Sequence, residues 1–206
     1  MPEPRPTHAT ALLALWNDVD PAQDAAYNDW HAREHVPERL TVPGMAWALR
    51  YRCLNEPAPM PRYLTLYGLR DAAVLDSAPY QRLLAEPTPA SRAMRPALRN
   101  LSRWVCTLDA QQGIERFAGL AVRTAARDAP EPAAVGEGGA LLRATRIPDA
   151  AALPWLAQGQ ARAVQGDRLL AWAANPDRAA ALAQGAWAGA TVYTRLPVGE
   201  AQMRTG

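Results

Sequence analysis

The chain has 206 residues, and its 22 basic residues, all arginine, against 20 acidic ones leave a formal charge of +2. Acids and bases are interspersed, which argues against a nucleic-acid partner, since that needs a concentrated basic face. The longest early apolar run, residues 9–16, falls far short of the roughly 20 residues of a membrane helix and lacks a secretory leader, so no membrane partner is expected.

Residues 1–8 form a proline-broken tail, followed by a strand at about 10–17. Asp20-Pro21-Ala22-Gln23 has the spacing of a helix start, with Asp20 as cap and Pro21 at the first helical position. That helix is predicted to end near Val36, because Pro37 disfavours helical backbone in the residue before it. Pro43-Gly44 is a turn, and residues 45–54 alternate as a strand, with Met45, Trp47, Leu49, Tyr51 and Cys53 on one face. The other face carries Ala46, Ala48, Arg50 and Arg52. A proline-rich loop at 57–61 leads to a strand at 62–69, where Tyr63, Thr65 and Tyr67 oppose Leu64 and Leu66. Residues 71–99 read as interrupted helix and 101–108 as a strand. The order βαββαβ predicts an α+β, ferredoxin-like sheet with its first and third strands in the middle.

The second half is less regular. It reads as a strand at 114–124, a mobile linker at 126–139, a strand at 140–147 and a helix at about 153–164. A strand at 168–174, a helix begun by Asn175-Pro176 and ended by Gly185, and a strand at about 189–196 complete it. Two domains are expected, 9–110 and a degenerate α+β unit at 111–206. Arginine in place of every lysine is compositional drift, and its abundance alone indicates no anionic ligand. Cys53 and Cys106 form no CxxC pair and no metal spacing, so a reduced, cytoplasmic protein is expected. They are placed on opposite edges of the first sheet, too far apart for a disulfide.

Two of the three histidines, His31 and His35, lie four residues apart and so share a helix face, bordered by Tyr27 and Trp30. A metal would need a third ligand, His8 sits in the loose tail, and the order HAREH is not the HExxH of zinc proteases; no metal is expected. Proton transfer suits imidazole, with Glu34 or Glu38 orienting a ring and the helix dipole favouring its cationic form. Tyr27, Trp30, Trp47, Tyr51, Tyr63 and Tyr67 would then wall a pocket for a flat organic ligand. In the competing structural reading, His35 caps its helix and stacks on Pro37, His31 is exposed, and the aromatics are core.

The segments Trp30-His31-x-x-Glu34-His35-Val36-Pro37-Glu38, Pro43-Gly44-Met45, Arg50-Tyr51, Tyr63-Leu64-Thr65-Leu66-Tyr67 and Ser77-Ala78-Pro79-Tyr80 resemble the EthD-like branch of the dimeric α+β-barrel superfamily. The resemblance spans about residues 9–109. It implies a ferredoxin-like sheet that packs on a second such sheet to form a barrel, supplied by the second half, by a homodimer partner, or by both. It also implies a pocket between sheet and helices lined by His35, with His31 at a more variable position. Relatives of this kind include cofactor-free monooxygenases, lactone isomerases, polyketide cyclases and haem-binding enzymes.

The reading taken from residues and resemblance together is cofactor-free proton transfer on an aromatic or polyketide-like small molecule. His35 is the expected acid/base, helped by His31, Tyr51 and Tyr67. A monooxygenase, a haem protein ligated by His35, and a non-catalytic ligand-binding protein are the alternatives.

Overall fold

A computed structural model describes residues 8–111, 113–130, 138–148, 153 and 164–199. Among these residues eight strands close into one antiparallel barrel. The first half contributes β1 (Ala11–Val19), β2 (Met45–Cys53), β3 (Tyr63–Leu69) and β4 (Leu98–Gln111). The second contributes β5 (Gly119–Ala125), β6 (Ala140–Arg146), β7 (Arg168–Ala174) and β8 (Thr191–Leu196). Within the first half the order is β4-β1-β3-β2, with β1 and β3 central as the sequence predicts, and β8-β5-β7-β6 is the same order in the second. The edges join across the halves, β2 to β8 and β4 to β6, so no strand is left with an open ladder.

Period-two alternation explains why the sheet closes. Leu12, Ala14, Trp16, Leu64, Leu66, Trp104, Leu120, Val122, Leu169 and Ala171 fill the barrel. Their strand neighbours Ala11, Leu13, Tyr67, Leu69 and Val105 face the helices of the first half, and Ala121, Leu170 and Trp172 face those of the second. The Trp16 and Trp104 rings meet edge to face at 5.3 Å inside the barrel, an arrangement favoured by their quadrupoles. Had the first half stood alone, this inner face would lie open to water; the second half covers it within one chain. Cys53 and Cys106 are free thiols in this inner core, on β2 and β4.

Three sequence expectations change. A β-bulge between Met45 and Trp47 slips the register against β3, so Met45 packs under the helices while Leu49, Tyr51 and Cys53 face inward. The Ile114–Arg116 stretch, read as strand, is a 3-10 turn that drops Ile114 into the inner core, and β5 begins only at Gly119. The first helix does not stop before Pro37. It runs from a 3-10 turn at Pro21–Gln23 through α1 (Asp24–Trp30), a π turn (His31–His35) and α2 (Val36–Arg39). The remaining described α-helices are α3 (Ala78–Ala85) and α4 (Pro89–Met94) on the first half and α5 (Pro176–Gln184) on the second. The helix predicted at 153–164 lies outside the described residues apart from its ends, as does the 131–137 part of the predicted linker.

Candidate functional site

The histidine helix starts as its sequence requires, with the Asp20 carboxylate accepting from the Ala22 amide at 3.1 Å and Pro21 next to the cap. Its passage through Pro37 has a local cause. Proline has no N–H and in an ordinary helix its ring collides with the carbonyl four residues back. Here Val36 N–H reaches the His31 carbonyl, the five-residue spacing of a π turn. In that register Pro37 would serve the Ala32 carbonyl, and it cannot. The orphaned oxygen instead accepts from the Gly199 amide at 3.0 Å, so the chain leaving β8 satisfies the group that Pro37 leaves unserved. A Cβ on residue 199 would lie 2.9 Å from that oxygen, which is why glycine suits the position.

The wide turn holds both imidazoles against the sheet. Their centroids are 4.9 Å apart; His31 lies 5.1 Å from Tyr27, and His35 lies 4.5 Å from Trp30. These four residues line a cavity of about 70 Å³ beneath the helices, walled also by Leu84, Leu101 and Leu153. Its polar members are Asn17, Ser91, Arg39 and Arg95. Leu153 comes from the second half of the chain, so both halves reach this site.

His31 is buried and His35 half-buried, and both are held well below the ordinary imidazole range. Loss of solvation is the largest cause for each. For His31 the positive charge of a protonated His35 follows, then Arg50 and Arg39; for His35 it is Arg39, Arg50 and Arg95. Both rings are therefore neutral at pH 7, the reverse of the cationic form expected from a helix C-terminus. The helix does not end there, and arginines surround the rings. Neither predicted carboxylate orients them. Glu34 accepts from the Thr88 hydroxyl, and Glu38 is held by Arg39 at 2.6 Å. The Nδ1 atoms of His31 and His35 are buried without a hydrogen-bond partner, as are Trp30 Nε1 and Ser91 Oγ, all on residues that line the cavity. So many unserved polar atoms around one cavity mark a place where water or ligand completes the bonding.

The proposed structural alternative also fails in detail, since His35 sits inside a continuing helix and His31 is buried. No third His, Cys, Asp or Glu among the described residues joins the pair in a metal-sized group.

No protein-family model matches the chain, and no curated protein matches it. Among solved structures it is similar to one titled as an anthrone oxidase-like protein, at 10% identity, with 90% of each chain covered and a TM-score of 0.52. The fold is of the dimeric α+β-barrel type. No helix among the described residues is long and apolar enough to cross a membrane.

The α+β barrel divides the predicted pocket residues between its two faces. Tyr27, Trp30, His31 and His35 line the cavity. Tyr63 backs it, 4.8 Å from Tyr27, donating to Asp24 at 2.7 Å and accepting from Asn28 at 2.8 Å. Tyr67 lies in the same helix-facing layer with its phenol buried and kept protonated by that burial. Trp47 and Tyr51 are not brought to the histidines. Tyr51 points into the barrel, its phenol pushed up to about 12 by burial, and Trp47 lies across Gly68, where a Cβ would come within 2.1 Å of its ring. The residue of β2 that does face the site is Arg50, whose guanidinium donates to Asn28 at 3.1 Å and to the Pro197 carbonyl at 3.3 Å. Sequence reasoning missed Arg39, Arg50, Arg95 and Ser91. For Arg50 a signal existed, because it opposes Tyr51 in the strand alternation and only one of the two can face the helices.

Proposed function

We propose that this chain is an EthD-like member of the superfamily that binds an aromatic or polyketide-like small molecule and moves a proton beside its carbonyl, as an isomerase, cyclase or lyase. The observation that carries this reading is the pair of neutral imidazoles with unpartnered Nδ1 atoms at an apolar-walled cavity. Neutral imidazole is the form that accepts a proton, and His35, half-buried at the cavity, is the base; His31 stacks on it. Proton removal beside a carbonyl places negative charge on oxygen, and Arg39 is the buried cation at the cavity that stabilises it. Tyr27 and Trp30 shape the site, with Tyr63 and Tyr67 behind them. Residues 9–110 act as the domain that carries the chemistry and 111–206 as the domain that closes the barrel. No cofactor enters this scheme, and the site needs no homodimer partner to complete it. Two buried free thiols suit a reducing, cytoplasmic setting.

The structural neighbour's title favours one second reading, a cofactor-free monooxygenase in which the carbanion formed at the same first step meets dioxygen. Both readings are tested together. With anthrone-like and aromatic β-dicarbonyl compounds in D₂O, the protein should exchange the acidic carbon-bound proton, and His35→Gln should slow this about 10²-fold or more while remaining folded. Oxygen uptake alongside exchange selects the second reading. Compounds that shift the His35 resonances yet show neither exchange nor uptake would leave a binding protein without catalysis.

A further inference from the structure

Glu34 and Thr88 tie the histidine turn to a second helix, and that helix brings one more polar group to the cavity. The Thr88 hydroxyl donates to Glu34, which lies on the π turn between His31 and His35. The same oxygen caps α4 by accepting from the Ser91 amide at 3.1 Å. Two hydrogen bonds thus hold Ser91 in register with the histidine turn, and Ser91 lines the same cavity.

The hydroxyl is costly where it lies. Ser91 is 3% exposed, and its Oγ is buried without a partner. Alanine there would be favoured by helix propensity and would leave no polar atom to desolvate. A buried hydroxyl of this kind at a cavity wall is completed by what enters the cavity. Other donors around it are already engaged. Tyr27 donates to Asn17 at 3.1 Å, Asn17 to the Asp18 carbonyl at 3.2 Å, Arg39 to Glu38 at 2.6 Å and Arg95 to the Leu84 carbonyl at 3.2 Å. On the lining residues, the buried polar atoms without a partner are the two histidine Nδ1 atoms, Trp30 Nε1 and Ser91 Oγ. The indole packs on His35 with centroids 4.5 Å apart, which fixes the direction of its N–H, whereas a serine hydroxyl rotates to meet an oxygen.

We propose that Ser91 is a further catalytic residue, whose hydroxyl donates to the substrate's carbonyl oxygen while His35 removes the neighbouring carbon-bound proton. This inference rests on the histidine cavity being the site of proton transfer and adds the group that contacts the oxygen. As the C–H bond breaks, its proton passes to the unprotonated nitrogen of His35 and its electron pair becomes the C=C bond of an enolate. The carbonyl π pair moves onto oxygen, where the hydrogen bond from Ser91 strengthens as charge develops. Ser91 keeps its proton throughout. His35 then returns a proton to carbon, which restores the carbonyl and the neutral imidazole.

The test follows exchange of the acidic carbon-bound protons of anthrone and 2-tetralone in D₂O, with Ser91→Ala and His35→Gln beside the parent protein. Ser91→Ala places alanine in a helix and should fold as the parent does, which a melting curve checks. It should lower kcat for exchange about 10²-fold, the usual scale for one lost donor to a developing oxyanion, with KM changed by no more than about 3-fold. Isotope-edited infrared spectra give a second readout. The carbonyl stretch of a bound probe should lie lower on the parent protein than on Ser91→Ala, because a hydrogen bond to oxygen weakens the C=O bond. Exchange that His35→Gln slows but Ser91→Ala leaves unchanged would overturn the role of Ser91 and leave the reaction standing. A rise in KM alone, with kcat and the carbonyl stretch unmoved, would overturn it too, since the hydroxyl would then aid binding only. If neither probe exchanges above the buffer rate or shows a displaced carbonyl stretch, this inference fails together with the reading of the site.

Discussion

Lowering the pH should unfold this protein through its two histidines, by an amount that follows from their burial. A histidine that ionises near pH 6.5 when unfolded but stays neutral in the fold withholds a proton that the unfolded chain binds. Stability is therefore full above about pH 6.5 and falls as the pH drops towards the depressed folded value. A ring that stayed neutral throughout would lose at most about 0.8 kcal/mol by pH 6 and about 2 kcal/mol by pH 5, so roughly 2.4 kcal/mol is the upper limit for the pair over that single unit. Urea unfolding followed by tryptophan fluorescence at pH 7.5, 6 and 5 measures this loss. Carboxylates also begin to titrate at pH 5, so the decisive quantity is the difference in pH slope between variants. His35→Gln should remove about half of the histidine contribution, and His31→Gln/His35→Gln nearly all of it, whatever either does to stability at pH 7.5. A double variant with the same slope as the parent protein would refute the claim that these rings are held neutral.

Three further outcomes follow from packing. Gly199→Val should lower stability by about 1–2 kcal/mol in urea, because a Cβ 2.9 Å from the Ala32 oxygen forces the chain after β8 off the π turn. An unchanged midpoint would mean that this contact does not hold the turn. Cys53 and Cys106 should resist a thiol reagent in the native protein and both react in denaturant, since each is buried and the Cys106 thiol is pushed up to about 12; fast native reaction at Cys106 would contradict its place in the barrel. Residues 1–110 expressed alone should aggregate or self-associate, because Trp16, Leu64 and Trp104 would lose their cover. A well-folded monomer of that fragment, by sedimentation and dispersed amide resonances, would show that the barrel is not what covers them.

The first sheet was legible because its signals are local. Alternation in Tyr63–Leu69 assigned both of its faces, and the βαββαβ order assigned the central strands. The aromatic edge of the histidine face, Tyr27 and Trp30, was legible for the same reason. What could not be read depended on contacts distant in sequence. Nothing near Pro37 announces that Gly199 will serve the Ala32 carbonyl, so the helix seemed bound to stop. The bulge at Met45–Trp47 shows no local proline or glycine within it, and once register slips, side chains exchange faces. The histidines' protonation could not be read either, because Arg50, Arg95 and Leu153 reach them from three other segments.

Closure of the barrel inside one chain has a consequence for how its surfaces can change. In a pair of identical subunits each substitution appears twice, so both pockets and both seams must accept it. Here the two sheets are encoded separately, and a change in one leaves the other untouched. The histidines show this freedom in use: all three precede β2, and none occurs in the second half. A symmetric barrel would fill two equivalent sites; titration of this protein should saturate at one ligand per chain, along a simple hyperbola with no communication between twin sites.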